Sequence, residues 1–494
     1  MLARIMLARV REDRGRFDAV VVGSGPNGLS AAVALAQGGA SVLVLEAADD
    51  IGGGTRTVEL TLPGFHHDVC SAVHTTGILS PFFRSLPLDE HGLRWILPRA
   101  SVAHPLDDQP AVMLWQSLEE TCAGLGADAS SYRDLIAPFL DNPDSFFGDV
   151  LGPLSWPKHA GMFMRFGANA MWPAASFAKW RFQQSRAKAL FAGCAGHSIL
   201  PLDKMFTAAL GLIFSIAGHV EPWPVAAGGS QAIARALGSL LTELGGEIRT
   251  GVLVTSAADL PAARVYLFDT SPDQLASIGE SALPSGYRRR LGRYRYGPGA
   301  FKLDWALDGP IPWRDANCGE ASTVHLGGTL EEIAAGEAAM FRGKHPERPY
   351  VLLCQQSELD PSRAPEGKHT GYGYCHVPGG STVDMTEAIE NQVERFAPGF
   401  KDRILARHTM NTHDFHRYNP NYVGGAITGG VADVFQLFTR PVARLDPYAT
   451  PNPRVFICSA STPPGGGVHG MCGFHAAQSA LRCLEGLEPA FLVS

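Results

Sequence analysis

Between Phe17 and Glu46 the chain runs through a strand, a glycine turn, a helix, a second strand and an acid, the order that builds a dinucleotide cradle. Asp18 to Val22 is a short apolar run suited to a buried strand, and Gly23, Gly25 and Gly28 punctuate the turn after it. Gly23 permits the tight turn, Gly25 lets backbone approach a pyrophosphate, and Gly28 lets helix and strand pack closely. The alanine-rich helix that follows stops at Gly38-Gly39. Its start offers free N–H groups and a positive dipole end to the pyrophosphate. Ser41 to Leu45 reads as the second strand. Glu46, 18 residues beyond Gly28, can accept hydrogen bonds from a ribose diol and would repel a 2′-phosphate. A lone G-x-G-x-x-G is a weak signal, but here the whole order is present. Gly23, Ser24, Gly25, Pro26, Asn27 and Gly28, with Glu46 and Ala47, are the first candidate cofactor contacts.

A second glycine cluster follows at once in Ala47-Ala-Asp-Asp-Ile-Gly-Gly-Gly-Thr-Arg-Thr57. A nicotinamide site does not need it. A flavin site can use it: Gly52 to Gly54 let the chain pass close to the cofactor, with Gly53, Gly54, Thr55 and Thr57 as candidate contacts, and Arg56 can pair with a phosphate or brace the turn. The competing reading is a polar surface loop with glycines for flexibility.

Glu-x5-Gly-Gly-x3-Thr resembles the second motif of flavoproteins of the amine oxidase and phytoene desaturase type, and Gly64-Phe-His-His-Asp68 resembles their passage towards the substrate domain. At the far end, Val455 to Ala477 reads as strand, glycine turn and helix start, and is similar to the segment that closes the flavin site of carotenoid desaturases. The resemblance implies FAD as cofactor. It adds Ser459, Ala460, Gly467, Val468 and His469 to its contacts, and Val252 near the adenine. Amine oxidases usually carry an acid about where Ala460 stands, so Ala460, Thr462-Pro463 and the Gly-Gly-Gly turn favour the desaturase branch. Glu221 to Gln231 and Gly424 to Pro441 resemble the family's returns into the flavin domain, so the likeness covers nearly the whole chain. The closest group is the phytoene-dehydrogenase-like one that also carries the label pyridine nucleotide-disulphide oxidoreductase domain-containing. The label misleads: the nine cysteines include no C-x-x-C pair, and no second G-x-G-x-x-G follows an internal strand.

With 494 residues, 45% hydrophobic and 18% charged, the chain can bury two or three domains of ordinary globular type. A net charge of −7 argues against nucleic acid. Scattered, odd-numbered cysteines read as reduced thiols of a cytoplasmic protein. Arg4 and Arg9 interrupt the start of the chain too early for a signal peptide, leaving a frayed helix or a mis-chosen start. No window reaches the roughly 18 apolar residues of a membrane span.

The expected fold class is α/β: a discontinuous Rossmann-like FAD-binding domain with an α+β substrate domain of mixed sheet plus helices. The FAD-binding domain takes residues 1–75, 221–290 and 440–494. The substrate domain takes 76–220, a helical cap, and 291–439, with strand-like runs at Ala300–Ala306, Tyr350–Cys354 and Tyr372–Val377. Only Ala257 to Ala263 separates two flavin-domain strands, too little for the β-hairpin of better-known relatives.

For chemistry, His469 is the foremost candidate, as a proton donor or carrier in the glycine turn, against the bland reading of a histidine that only holds that turn. Tyr422 could wall the flavin or act as an acid. His376 is the third candidate; it and Tyr374 are assigned to opposite faces of their strand, so that at most one reaches the pocket. Lys302 and Asp304 share a face, and a buried pair there reads as structural. His66-His67 and His413-x-x-His416 lack companion ligands, so no metal is expected. Arg288, Arg289, Arg290, Arg293 and Arg295 form a solvated face or a contact for anionic lipid headgroups.

The expected activity is hydride removal from an apolar, lipid- or terpenoid-like substrate to form a C=C bond, with quinone or oxygen as acceptor. The alternatives are a same-fold amine oxidase, saturase or flavin-dependent isomerase, and a non-catalytic flavin-bearing interaction protein. A homodimer and peripheral contact with a membrane stay open.

Overall fold

A computed structural model describes residues 17–486, so the expectations for the first ten residues lie outside the described part. Apolar strands as short as Val42–Leu45 are stable only when buried on both faces, which forces a layered arrangement. Five parallel strands form the first sheet, in the order Val455–Ile457, Ala263–Phe268, Phe17–Val22, Val42–Leu45, Glu247–Arg249. The sheet thus draws on three separated stretches of chain.

Successive residues of the central strand serve opposite cores, as strand geometry requires. Ala19 and Val21 join the core with helices Pro26–Gln37, Gln231–Glu243 and Met471–Leu484. Val20 and Val22 point the other way, into the core with Leu275, Ile278, Tyr287 and Leu291 of two short helices. The first and last helices cross with almost no gap: a Cβ at Gly473 would lie 1.9 Å from the Asn27 carbonyl oxygen. Between Arg249 and Ala263 the only regular element among the described residues is a 3-10 turn at Ala257–Asp259. The hairpin is absent there, in line with the short connection.

The second sheet has seven strands, in the order Ile404–Met410, Gly299–Leu307, His369–Val377, Val351–Cys354, Ala321–Leu326, Ala100–His104, Val112–Trp115. All neighbours are antiparallel except Ala321–Leu326 with Ala100–His104. Helix Thr386–Phe396 covers one face, through Ile389, Val393 and Phe396. Helices Ser185–Gly196 and Thr207–Val220 lie over the other side. The architecture is α/β, a Rossmann-like domain beside a mixed sheet with helices, as the sequence implied.

The helical-cap segment also contributes a hairpin, Ala100–His104 with Val112–Trp115, to the large sheet. Tyr374 and His376 require a correction. Their rings stand 5.8 Å apart on one side of the strand, because residues two apart share a face.

Candidate cofactor and substrate site

One cavity of about 560 Å³ runs from the glycine turn of the small sheet to the inner face of the large one. Its outer part is built at the C-terminal ends of the parallel strands, where an α/β sheet holds its ligand. Gly23, Ser24, Gly25, Pro26 and Asn27 line it, as do Glu46, Ala47, Gly53, Gly54, Thr55 and Arg56. Val252, Ser459, Ala460, Gly467 and Val468 reach the same wall from the middle and the end of the chain.

Three predicted contacts stand behind that wall. Gly28 is there for packing: a Cβ would lie 2.1 Å from the Gly23 carbonyl oxygen. Thr57 donates its hydroxyl to Asp68 Oδ1 at 2.7 Å and accepts the Gln231 N–H at 3.1 Å, bracing the second glycine cluster. His469 is 1% exposed, its ring against Gly467 and its Nδ1 accepting the Met471 N–H at 3.1 Å. Burial lowers its pKa to about 4, so the ring is neutral. The bland reading of His469 is the one its position supports.

Of the other two candidates, Tyr422 lines the cavity, its hydroxyl so near Gly54 that a Cβ there would lie 2.1 Å away. Burial drives its phenol well above the usual value, so it acts as a neutral donor or a wall. His376 lies behind Tyr374, 2% exposed, with Nδ1 on Glu337 Oε2 at 2.9 Å. The structure thus puts one of the three on the cavity.

Glu46 organises the turn before any ligand does. Its Oε2 accepts the Ser24 N–H at 2.8 Å and the Ser24 hydroxyl at 2.6 Å, and its Oε1 accepts the Ala48 N–H at 2.9 Å. Arg56 braces the loop, donating to the Asp50 carbonyl at 2.7 Å and to Glu46 at 3.2 Å.

Asp269 was not singled out by the sequence. It follows strand Ala263–Phe268, so it tops the strand beside the glycine turn, and that position was the available signal. Its Oδ2 accepts the Gly28 N–H at 2.9 Å and would lie 2.7 Å from a Cβ on Gly25. Burial lifts its carboxyl to about 7, against the pull of the Gly28 N–H and with a push from Glu46. Asn421 anchors the same corner, donating to the Asp269 carbonyl at 3.0 Å and accepting the Ser271 N–H at 2.7 Å.

The inner part is a chamber of Phe214, Trp223, Leu352, Cys354, Tyr372 and Tyr374, with His197 at its end. Of these only Tyr374 stood out in the sequence, because packing brings the rest together. Beneath Tyr372, Lys302 and Asp304 form an ion pair with side chains at most 1% exposed, and Lys302 Nζ lies 4.4 Å from the Tyr372 ring centre.

The groups present fit a long dinucleotide. Asn27 Oδ1 and Thr270 Oγ1 are buried on residues of the cavity wall with no protein partner. Gly25 and Gly54 are glycines because a Cβ there would collide with Asp269 and with the Tyr422 hydroxyl, so the wall carries bare backbone at the cavity. No cluster of three or more metal-ligating side chains occurs among the described residues. No helix among them is long and apolar enough to cross a membrane.

A dinucleotide cradle of the Rossmann type, joined to a roofed mixed sheet, defines an FAD-type oxidoreductase fold. Residues 21–86 match the model of an NAD(P)-binding Rossmann-like domain. The chain is 26% identical to the pyridine nucleotide-disulfide oxidoreductase domain-containing protein 2 of Rattus norvegicus, over 95% of this chain and 94% of that one. An oxidoreductase from Methanosarcina mazei has the same fold, with a TM-score of 0.64 at 16% identity, over 94% of this chain and 99% of that one. Cyclohexylamine oxidase from Brevibacterium oxydans matches with a TM-score of 0.57 at 18% identity, over 95% of this chain and 99% of that one. These structural likenesses concern the fold.

Proposed function

We propose that this protein binds FAD and dehydrogenates an apolar, lipid- or terpenoid-like substrate in the manner of phytoene desaturases, passing electrons to a quinone or oxygen. The observation that carries the reading is the continuity of the cavity, from the glycine turn past Gly54, Tyr422 and Val468 into an aromatic chamber. Gly23 to Asn27 would hold the pyrophosphate, Glu46 the ribose and the backbone near Val252 the adenine. A bound flavin supplies the hydride acceptor, and the protein supplies position and a dry surrounding. Tyr372, Tyr374, Phe214 and Leu352 would hold a hydrocarbon and exclude water.

Amine oxidation is the less supported chemistry. Glu46 and Asp269, the carboxylates on the cavity wall, both stand at the nucleotide end, so no acid among the described residues waits for an ammonium in the chamber. The purified protein is expected to be yellow, and after photoreduction to reoxidise with a soluble quinone faster than NADPH can reduce it. Stoichiometric rapid reduction by NADPH would overturn the choice of acceptor, and peroxide release from small amines the choice of substrate.

An apolar substrate is most concentrated in a membrane, and one face suits that source. Phe435 is 77% and Leu445 90% exposed, and Phe438 stacks edge-on against Phe206 at 5.5 Å, near the stacked pair Trp172–Trp180. Arg289, Arg290 and Arg293 are exposed beside them, on the segment to which Arg295 ties Asp433 at 2.5 Å. This face is proposed to rest on anionic lipid, each basic side chain adding about 1 kcal/mol. Co-sedimentation with phosphatidylglycerol vesicles should be lost in high salt and weakened by Arg289→Glu with Arg290→Glu. Equal binding to neutral vesicles would refute it.

A further inference from the structure

At the end of the chamber two polar groups take no partner among the described residues, the sealed Trp223 Nε1 and His197 Nδ1. His197 closes helix Ser185–Gly196 and sits in an aromatic box, 4.5 Å from the Phe214 ring centre and 5.7 Å from that of Trp223. Its Nε2 shares a hydrogen bond of 3.0 Å with His325 Nε2. Its Nδ1 takes no partner among the described residues, yet it is not sealed like the unpartnered Nδ1 of His325. The ring lines the cavity, which is what reaches it.

We infer that His197 is the polar anchor of the substrate chamber, selecting an apolar molecule that carries one uncharged oxygen function, an alcohol or a ketone, at the end remote from the flavin. The inference rests on the cavity being an FAD and substrate site, and it narrows the substrate class.

Three features support it. The imidazole is uncharged, because burial, with a smaller push from the neighbouring His376, lowers its pKa to about 3. A neutral ring gives a carboxylate no compensation for losing water, and the charged cavity residues (Glu46, Arg56, Asp269 and Arg417) all belong to the nucleotide end. The proton shared between the two Nε2 atoms leaves His197 Nδ1 as donor in one arrangement and acceptor in the other. A hydroxyl satisfies either arrangement and a ketone the first. An ammonium or a carboxylate finds no counter-charge. His197 is therefore a positioning residue: it touches the substrate's far end and sets which C–H bond lies over the flavin.

The test uses the full-length FAD-loaded protein with decane, decan-1-ol, 2-decanone, decanoate and decylamine as probes, read by tryptophan fluorescence and by the flavin spectrum. Decan-1-ol and 2-decanone should bind about tenfold tighter than decane, decanoate and decylamine, the worth of one buried hydrogen bond. His197→Phe should erase that preference while leaving FAD content unchanged, and His197→Gln, which keeps an amide in place, should restore part of it. Equal binding of all five probes, no binding of any, or an unchanged preference in His197→Phe would overturn the inference. Failure to retain FAD, scored separately by flavin absorbance, would instead count against the cofactor reading, because the tryptophan signal reports the probes without flavin.

Discussion

The affinity of this protein for FAD is expected to fall as pH rises through about 7, and Asp269→Asn is expected to flatten that dependence. The Asp269 carboxyl sits within the glycine turn, bonded to the Gly28 N–H that would otherwise face the pyrophosphate. Burial raises its pKa to about 7, so it is neutral below that pH and anionic above it. A pyrophosphate carries its own negative charge into the same corner and disfavours the ionised form. Binding then takes up a proton, and the dissociation constant should rise by up to about tenfold for each pH unit above 7. The stability of the ligand-free protein has the same sign. The raised group contributes stability that is complete below the ordinary carboxylate value and is lost as pH climbs through about 7. Flavin fluorescence quenching on either side of pH 7, in both proteins, measures the effect. A wild-type affinity that does not change with pH would refute the role given to Asp269.

The second large effect is expected under the chamber floor. Lys302 and Asp304 are paired, and both are removed from water. Burial opposes the Asp304 charge, and Lys302 together with His408 and His67 outweighs that opposition, holding the carboxyl below its usual range. His67 and His408 each approach that carboxylate to 3.7 Å. Burial keeps His67 neutral, near about 4, which leaves Lys302 as the main counter-charge. Asp304→Ala therefore strands an ammonium in the core, at a cost of about 3–5 kcal/mol. Replacing both partners by apolar residues, Lys302→Met with Asp304→Leu, should recover most of that loss, since the pair itself contributes little net stability. Urea unfolding of the three proteins distinguishes these outcomes. A single variant as stable as wild type would refute this account of the pair.

What could be read from the chain in advance depended on distance along it. The turn at Gly23, Gly25 and Gly28, the strands around it and Glu46 lie within thirty residues. Their chemistry is local, and the structure has each element near its expected bounds. The strands Gly299–Leu307 and His369–Val377 were also legible, from their apolar and aromatic runs. The hairpin at Ala100–His104 was not, because its short run of Ala, Ser, Val, Ala and His shows neither alternation nor a continuous apolar stretch. Asp269 escaped notice because an acid after a strand looks like an ordinary loop residue until a neighbouring strand places it under a turn 241 residues earlier. Most of the chamber was out of reach for the same reason: His197, Phe214 and Trp223 come from separate stretches that meet Tyr374 only in the packed molecule. The face assignment of Tyr374 and His376 failed on simple periodicity, since two residues apart on a strand means the same side.

The way the small sheet is assembled bears on synthesis at the ribosome. Its edge strand Val455–Ile457 and the helix that closes over Asn27 are translated after every strand of the large sheet. A nascent chain that still lacks them has the phosphate turn but no lid of helix above it. Until they are made the cradle is half built, and Ala263–Phe268 is an open border of the kind chaperones guard.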